Sequence, residues 1–345
     1  MSTTVDIRSF SLSEMQAFME ELGEPKYRAG QIYSWTAKGA VSFDEMTNIP
    51  LALRERLKEA CRLSGLKILD KQVSTDGTVK YLFELSDGNT IESVLMKYEH
   101  GITLCVSCQV GCRMGCTFCA STVGGLVRNL TAGEMLEQVQ AATADSGGRV
   151  DGIVMMGMGE PLDNYDNVIK FLHLVNDSGG MGIGYRHISV STCGILPMIG
   201  KLAEEGLPIT LSVSLHAPTD EVRATMLPVT NKWSVAEVVA AAARYAKSTG
   251  RKVYFEYTMV GGVNDSATQA ARLAGLLRGI LCHVNLIALN PVRGGENVGS
   301  SRKTIDAFSN ILAKRGVSST VRRRLGIDID AACGQLRSKH SEHKE

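Results

Sequence analysis

The sequence predicts an α/β fold built from serial strand–helix units. Six short apolar runs beyond residue 100 are each followed by a longer amphipathic, helix-like stretch. Glycine-rich or polar motifs stand at the ends of several of these runs, where functional residues of α/β folds gather. Units in series form a parallel sheet that is either open or curled into part of a barrel. The six predicted strands are residues 102–107, 152–157, 187–192, 209–215, 253–260 and 284–290.

Smaller elements are predicted ahead of this main body. Acidic and apolar residues interleave with helical periodicity over residues 11–23 and 51–65. The strand-like segments 80–85 and 90–98 flank Ser-Asp-Gly-Asn, a favourable hairpin turn. The predicted organisation is a helical accessory domain at 1–65, a small β extension at 66–99, the main α/β body at 100–336 and a polar tail at 337–345.

Composition narrows the class of protein. The 345 residues are 44% hydrophobic and 21% charged, which excludes wholesale disorder. The net charge is +1, so nucleic acid could be attracted only by a local basic patch. The sequence has no apolar run of membrane-spanning length and no secretory signal, and we expect a cytoplasmic protein without a membrane partner.

Five of the nine cysteines fall between residues 105 and 119. Cys112, Cys116 and Cys119 form a C-x3-C-x2-C pattern, and three thiolate ligands leave one iron of a four-iron cluster open. The alternative is a zinc site that pairs Cys105 and Cys108 with Cys116 and Cys119. Only seven residues separate those pairs, against about 15–20 in common two-knuckle zinc sites. The spacing favours an iron–sulfur cluster.

The cysteine loop, with Phe118 before its last cysteine, resembles the cluster loop of radical S-adenosylmethionine enzymes. Gly-Met-Gly-Glu-Pro at 157–161 is similar to the glycine-rich segment that contacts the methionine part of the cofactor in that superfamily. A longer series of motifs, in order from about residue 20 to 336, resembles the RlmN/Cfr family of dual-cysteine RNA methyltransferases. It includes TLCVSCQVGCRMGCTFCAS, HISVSTCGILP, LSVSLHAP and, near the end, DIDAACGQL.

This resemblance implies a partial (β/α)6 radical-SAM barrel and a [4Fe–4S] cluster on Cys112, Cys116 and Cys119. It implies methylation of adenosine C2 in the peptidyl-transferase region of 23S rRNA, and of the adenosine 3′ of the anticodon in tRNAs. Two S-adenosylmethionine molecules are consumed per turnover. One gives its methyl group to the sulfur of Cys333, and the other supplies the radical that activates this group.

The family pattern also assigns the remaining chemistry. Glu92 is the proton acceptor, and Cys105 resolves a covalent protein–RNA adduct by forming a transient disulfide with Cys333. A carboxylate flanked by apolar residues suits proton removal, although Glu92 and Cys105 could share that role. The positions that match cofactor contacts are Gly159, Glu160, Ser191, Ser214, Leu215, His216 and Asn290.

Other cysteines have no matched role. We interpret Cys61, Cys193 and Cys282 as structural. Cys108 departs from the family, which more often has Ser or Thr there. It is a spare thiol three residues from Cys105, and its role stays open between an off-pathway disulfide and zinc binding in the metal-free protein.

The implied partners are 23S rRNA and tRNA, with an electron donor such as flavodoxin or ferredoxin, and we expect a monomer. Residues 302–324 contain seven Lys or Arg and one acid, and Arg322–Arg324 precede the Cys333 loop. This cluster suits phosphate contact, or else it is an ordinary solvated face. The N-terminal domain is expected to dock RNA. The competing functions are a Cfr-type C8 methyltransferase, which uses the same cysteines, and a non-enzymatic iron–sulfur or zinc RNA-binding protein.

Overall fold

A ten-stranded sheet organises the chain in the computed structural model, which describes residues 5–63, 65–289, 298–326 and 328–329. Asn290 and Cys333 lie outside the described residues. None of the helices in the described ranges is long and apolar enough to cross a bilayer.

Strands are numbered in chain order. They are β1 Val5–Asp6, β2 Cys61–Arg62, β3 Lys67–Val73, β4 Val79–Glu84, β5 Thr90–Tyr98, β6 Gly101–Cys105, β7 Gln109–Gly111, β8 Leu126–Asn129, β9 Gly152–Met155, β10 Ile188–Thr192, β11 Thr210–Ser214, β12 Val253–Met259, β13 Cys282–Ala288 and β14 Ser319–Val321.

The α-helices are numbered in the same way. They are α1 Leu12–Glu21, α2 Tyr27–Ala37, α3 Leu51–Ala60, α4 Ala132–Ser146, α5 Tyr165–Asn176, α6 Leu196–Glu204, α7 Asp220–Met226, α8 Val235–Thr249, α9 Ala267–Leu277 and α10 Arg302–Lys314. Short 3-10 helices occur at Ile7–Ser9, Phe43–Glu45, Ala120–Thr122, Pro161–Asp163, Tyr185–His187 and Pro228–Asn231.

The strand order in the large sheet is β14-β13-β12-β11-β10-β9-β6-β5-β4-β3. All neighbours from β6 to β14 are parallel, which confirms the predicted series of six strand–helix units and adds β14 as a seventh parallel strand. The predicted hairpin is also present, with Glu84 opposite Thr90. Because β5 pairs with β6, the antiparallel extension continues the same sheet.

Local sequence fixes where the helices begin. Thr131 caps α4 and Ser234 caps α8, each in a reciprocal capping box with a glutamate three residues later. The apolar faces of these helices enter the main core, where Val139 of α4 and Val238 of α8 are fully buried beside strand residues such as Ile153. Burial of one helix stripe against one sheet face is what this layered architecture requires.

The N-terminal helices have a separate core that includes Met15 and Ile32, both fully buried. Arg8 joins this unit to the main body. Its fully buried guanidinium donates to the Ala40 carbonyl at 2.7 Å and to the side chain of Gln140 on α4. The helical domain is therefore fixed to the strand–helix body by a buried polar contact.

Candidate active site

A cavity of about 440 Å³ opens on one face of the large sheet. Val94 of β5, Cys105 of β6 and Val154 of β9 are register partners, and partners on adjacent strands project to the same face. All three line the cavity. Leu104 and Ile153 alternate with them and are fully buried in the main core. The sheet therefore presents its inner face to the cavity and its outer face to the helices.

The predicted cluster loop follows β7 and lines this cavity with Cys112, Cys116 and Cys119. Main-chain bonds hold the loop, with Cys112 N donating to Gly125 O at 3.0 Å and Cys119 N to Cys116 O at 3.1 Å. Gly111 has φ +74°, and a Cβ there would lie 2.0 Å from the Gly125 oxygen. The turn into the loop consequently requires glycine.

Electrostatics favour metal binding by these thiols over free thiolates. Burial, together with the negative charges of neighbouring groups, raises the pKa of Cys112 to about 11 and that of Cys116 to about 12. Metal ligation replaces the thiol proton and removes this cost. In the described ranges, no group of three or more His, Cys, Asp or Glu is arranged to hold a single metal ion. Cys108, which the zinc alternative requires, is packed in the main core. The three loop thiols fit the larger iron–sulfur cluster.

Cys105 lies in the cavity wall near two ion pairs, Lys80–Glu92 and Arg322–Glu256. Burial raises the pKa of its thiol to about 11, whereas the positive charges of Arg322 and Lys80 act in the opposite direction. Glu92, two residues from Val94 on the same face of β5, is 3% exposed and lies below the cavity surface. Lys80 Nζ of β4 lies 3.3 Å from Glu92 Oε2. Sequence reasoning did not identify Lys80 as a partner of the predicted proton acceptor.

The predicted glycine-rich segment follows β9 and is tightly packed. Gly159 has φ +105°, and a Cβ there would lie 2.6 Å from Gln109 Cβ. Both carboxylate oxygens of Glu160 accept main-chain bonds, from Leu162 N at 3.0 Å and Cys193 N at 2.7 Å. Burial raises the pKa of Glu160 despite these bonds. Glu160 therefore ties the segment to the end of β10 at the cavity wall.

Other predicted cofactor contacts divide into two groups. Ser191, Ser214 and His216 line the cavity at the carboxyl ends of β10 and β11. The side chain of Leu215 points into the main core, where it is fully buried. Its main-chain N donates to Glu256 O at 3.1 Å, so Leu215 helps to fix the strand end.

His216 has an unusual backbone for a non-glycine residue, with φ 57°. Its Nδ1 accepts from Thr258 N at 2.9 Å, which leaves Nε2 as the N–H of the neutral ring. Burial, reinforced by the positive charge of Arg223, lowers the pKa of His216 to about 3. The ring meets Phe118 of the cluster loop edge-on, with centroids 5.0 Å apart. His216 is thus a neutral, fixed donor beside the loop.

Sequence reasoning missed a polar row deeper in the same face. Ser214 pairs with Glu256 of β12, and Glu256 pairs with Asn285 of β13. Asn285 Nδ2 donates to Glu256 Oε1 at 2.9 Å, and Arg322 Nη1 lies 3.7 Å from Glu256 Oε2. The available signal was one acid in the otherwise uncharged run Val-Tyr-Phe-Glu-Tyr-Thr-Met-Val.

Arg223 of α7 is a second residue that was missed. Its fully buried guanidinium donates to Cys193 O at 2.6 Å, Ser214 O at 3.1 Å and Leu215 O at 3.0 Å. These carbonyls stand at the ends of β10 and β11. Arg223 therefore braces the strand ends that carry the predicted cofactor contacts, and its charge lowers the pKa of Cys116.

The arginines at 322–324 line the cavity directly after β14. The Arg322 side chain is 33% exposed, so this part of the basic cluster is in the cavity wall. Cys193, interpreted from the sequence as structural, also lines the cavity, whereas Cys61 is buried in the N-terminal core. RNA contact by the arginines stays a prediction.

Comparisons with known proteins match this arrangement. The family described as "Radical SAM superfamily" matches residues 106–274, and "Ribosomal RNA large subunit methyltransferase N-terminal domain" matches residues 5–63. A "Probable dual-specificity RNA methyltransferase RlmN" of Lachnospira eligens is 51% identical over 339 residues, 98% of this chain and 97% of the relative. The protein of the same description from Alkaliphilus oremlandii is 49% identical and covers 98% of this chain and 99% of its own.

A solved structure has the same fold. The crystal structure of a radical SAM methyltransferase from Sphaerobacter thermophilus superposes with a TM-score of 0.92 at 45% identity, covering 96% of this chain and 98% of that chain. The fold, the cysteine loop and the matches to known proteins together define a radical S-adenosylmethionine enzyme. The chain belongs to the RlmN family of RNA methyltransferases. The family and the radical-SAM barrel expected from the sequence are confirmed, and the superfamily implies a [4Fe–4S] cluster and S-adenosylmethionine.

Proposed function

We propose that this enzyme methylates C2 of adenosine in RNA by the two-cysteine route. The observation that carries the proposal is the position of Cys105, which lines the same cavity as the three cluster-loop thiols. Cys105 is also the register partner of Val94 and Val154 on the sheet face that lines the cavity, whereas Cys108 is packed in the main core. The family match over nearly the whole chain supports the same chemistry.

The substrates in this proposal are adenosine in the peptidyl-transferase region of 23S rRNA and the adenosine 3′ of the anticodon in tRNA. The relatives' description as dual-specificity RNA methyltransferases supports two RNA classes. The target base must leave its stack to enter a cavity in the sheet face. Arg322–Arg324 would hold the adjoining phosphates, and the N-terminal domain would dock the RNA. The enzyme would act in the cytoplasm as a monomer.

Cys112, Cys116 and Cys119 would hold the cluster, and Ser191, Ser214, His216 and Asn290 would contact S-adenosylmethionine around Gly159–Glu160. A ligand with amine, carboxylate and hydroxyl groups needs this mixture of small polar partners. When bound, the cluster supplies the electron, received from flavodoxin or ferredoxin, that cleaves S-adenosylmethionine to a radical able to activate a methyl group. One S-adenosylmethionine is spent on that step, and another supplies the methyl group.

The chain's own residues would perform the remaining steps. The Cys333 sulfur accepts the methyl group, and after hydrogen removal its carbon bonds to adenine C2. Glu92 takes the C2 proton, and Lys80 keeps the carboxylate paired in a buried site. The unpaired electron left on the adduct would return to the cluster that supplied it. The Cys105 sulfur then attacks the Cys333 sulfur and breaks its bond to carbon. The released electron pair takes up a proton to complete the methyl group, and a Cys105–Cys333 disulfide is left for cellular thiols to reduce.

The two cysteines should therefore fail in different ways. Cys333→Ala has no methyl carrier and should give neither methylated adenosine nor a protein–RNA conjugate. Cys105→Ala should form the conjugate but not release it, so RNA attached through denaturation should accumulate and disappear on nuclease digestion. Cys61→Ala, which changes a buried thiol of the N-terminal core, is the matched control and should keep activity.

Denaturing electrophoresis and mass spectrometry after co-expression with cellular RNA provide the measurement. An active Cys105→Ala enzyme without trapped RNA would exclude the two-cysteine route. Mass spectrometry of the digested RNA also tests the position of methylation. We expect 2-methyladenosine, and 8-methyladenosine as the product would assign the enzyme to the Cfr-type alternative.

A further inference from the structure

The segment after β14 is attached to the turn between β3 and β4. Residues 322–325 line the cavity, and the chain then meets Ser74, Thr75 and Asp76. Gly326 N donates to Asp76 Oδ2 at 2.9 Å, and Thr75 N donates to Asp328 Oδ2 at 2.9 Å. The Ser74 hydroxyl also donates to Asp328 Oδ1. We call these three hydrogen bonds, between residues 74–76 and 326–328, the C-terminal clasp.

The turn side of the clasp is internally braced. Ser74 N donates to Thr78 O at 2.8 Å, Gly77 N to Ser74 O at 3.0 Å, and Thr78 N to Asp76 Oδ1 at 2.9 Å. Burial raises the pKa of Asp76, but the bonds from Gly326 and Thr78 outweigh it and hold that pKa far below its ordinary value. Asp76 is therefore an ionised acceptor on a rigid turn, and charge-assisted bonds of this kind are stronger than neutral ones.

The clasp lies beside the cavity and a few residues before Cys333. Thr78, two residues after Asp76, lines the cavity, as does Leu325, immediately before Gly326. Cys333 follows Asp328 by five residues. Five residues span at most roughly 18 Å when fully extended. The clasp thus fixes the chain beside the cavity, within a short tether of the predicted methyl carrier.

We propose that the C-terminal clasp is a positioning device that keeps Cys333 within reach of Cys105. The inference rests on the proposed two-cysteine function, since it assumes that these sulfurs must meet. Asp328 is the positioning residue, because its carboxylate joins Cys333's own segment to the turn. It acts through the tether length.

The size of the effect follows from the tether. Without the clasp, the nearest main-chain bond to the sheet is Arg322 N to Leu286 O at 2.9 Å, eleven residues before Cys333. The effective concentration of a tethered group falls as about the −3/2 power of tether length. Lengthening the tether from five to eleven residues should lower the effective concentration of the Cys333 sulfur at Cys105 by about threefold.

The equilibrium of the Cys105–Cys333 disulfide with glutathione measures this quantity directly. Both thiols lose a proton and together give two electrons to glutathione disulfide, which becomes two glutathione molecules. Reconstituted enzyme is equilibrated anaerobically across glutathione ratios, acid-quenched, alkylated and digested, and mass spectrometry quantifies the cross-linked peptide pair. Asp328→Ala keeps the Gly326 N–Asp76 bond, seven residues before Cys333, so the tether lengthens from five to seven residues. The equilibrium constant for disulfide formation should then fall about 1.7-fold. Ser74→Ala, which removes one of the three bonds, should shift it less and in the same direction.

Asp177→Ala is the matched control. Asp177 also accepts one hydroxyl and one main-chain N–H, from Tyr33 at 3.0 Å and Gly179 at 2.7 Å, and it too connects distant parts of the chain. In Asp177→Ala the equilibrium constant for the Cys105–Cys333 disulfide should equal that of the wild type. Iron content per protein identifies any variant that has not folded, in which case Ser74→Ala decides the question.

The outcomes separate the two proposals. A wild-type disulfide between Cys105 and Cys333 whose equilibrium constant is the same in Asp328→Ala and Ser74→Ala would overturn the clasp and leave the two-cysteine route standing. Failure to form that disulfide in wild-type enzyme would overturn both. A shift equal in Asp177→Ala and Asp328→Ala would also reject the clasp, because loss of any hydrogen-bonded carboxylate would then suffice.

Discussion

Replacing Arg223 with methionine should remove the hydrogen bonds that hold the ends of β10 and β11 beneath the cluster loop. The fully buried guanidinium makes four hydrogen bonds, to Cys193 O, Ser214 O, Leu215 O and Thr230 Oγ1, at 2.6, 3.1, 3.0 and 3.0 Å. Methionine fills most of the same volume but donates to none of these acceptors. The substitution therefore tests the polar brace with little change in packing.

The magnitude follows from those contacts. A buried acceptor that loses a charged donor costs about 1–3 kcal/mol, and relaxation prevents the four costs from adding fully. A free energy of unfolding lowered by about 3–5 kcal/mol is the expectation. At about 2–4 °C per kcal/mol, the factor for chains of about 150–250 residues, the melting temperature should fall by roughly 6–20 °C. Loss of the positive charge should also raise the pKa of Cys116 and weaken cluster retention.

Anaerobic thermal unfolding and iron content are the assays. Arg251→Met is the matched control, because Arg251 Nε donates to Ile209 O at 2.7 Å, just before the opposite end of β11. It should cost about 1 kcal/mol and leave iron content unchanged. Equal melting temperatures and equal iron content for Arg223→Met and Arg251→Met would refute the assignment of Arg223 as the brace.

Three further predictions follow from the site. Gly159→Ala should abolish S-adenosylmethionine binding measured by calorimetry, because residue 159 has φ +105° and the added Cβ would lie 2.6 Å from Gln109 Cβ. The control is Gly23→Ala, at φ +70° with open space around the added Cβ, which should only lower stability. Neutralising Arg322–Arg324 should weaken RNA binding and flatten its dependence on salt, whereas an unchanged salt slope would make them a solvated face. The rate of adduct release should rise about tenfold per pH unit from pH 7 to 9, because burial raises the pKa of Cys105 to about 11 and only its thiolate attacks. A release rate independent of pH would show that attack by Cys105 does not limit release.

Much of the fold could be predicted because the signals are local. Six apolar runs with intervening amphipathic stretches gave six strands of the parallel sheet, and the Ser-Asp-Gly-Asn turn gave the β4–β5 hairpin. The three cysteines of the cluster loop lie within eight residues, so spacing alone brought them together. Local periodicity and turn chemistry determine such features, and no knowledge of strand neighbours is needed.

Contacts that depend on strand register could not be predicted in this way. Glu256 meets Arg322 across 66 positions of sequence, and the pairing follows from which strands are neighbours in the sheet. The direction of the Leu215 side chain was also not predicted. It belongs to the same motif as Ser214 and His216, yet alternation along the strand turns its side chain into the core.

The antiparallel extension brings an ion pair to the predicted reactive site through the continuity of the sheet. Because β5 pairs with β6, Lys80 and Glu92 form their ion pair on the same sheet face as Cys105, whose other flank is the Arg322–Glu256 pair. Buried charges are tolerated when each has an opposite partner, so both pairs can place full charges beside a thiol. Both cations lower the pKa of Cys105 against the effect of burial. The β extension thus contributes both Lys80, which lowers the pKa of Cys105, and Glu92, which raises it, while burial leaves that pKa at about 11.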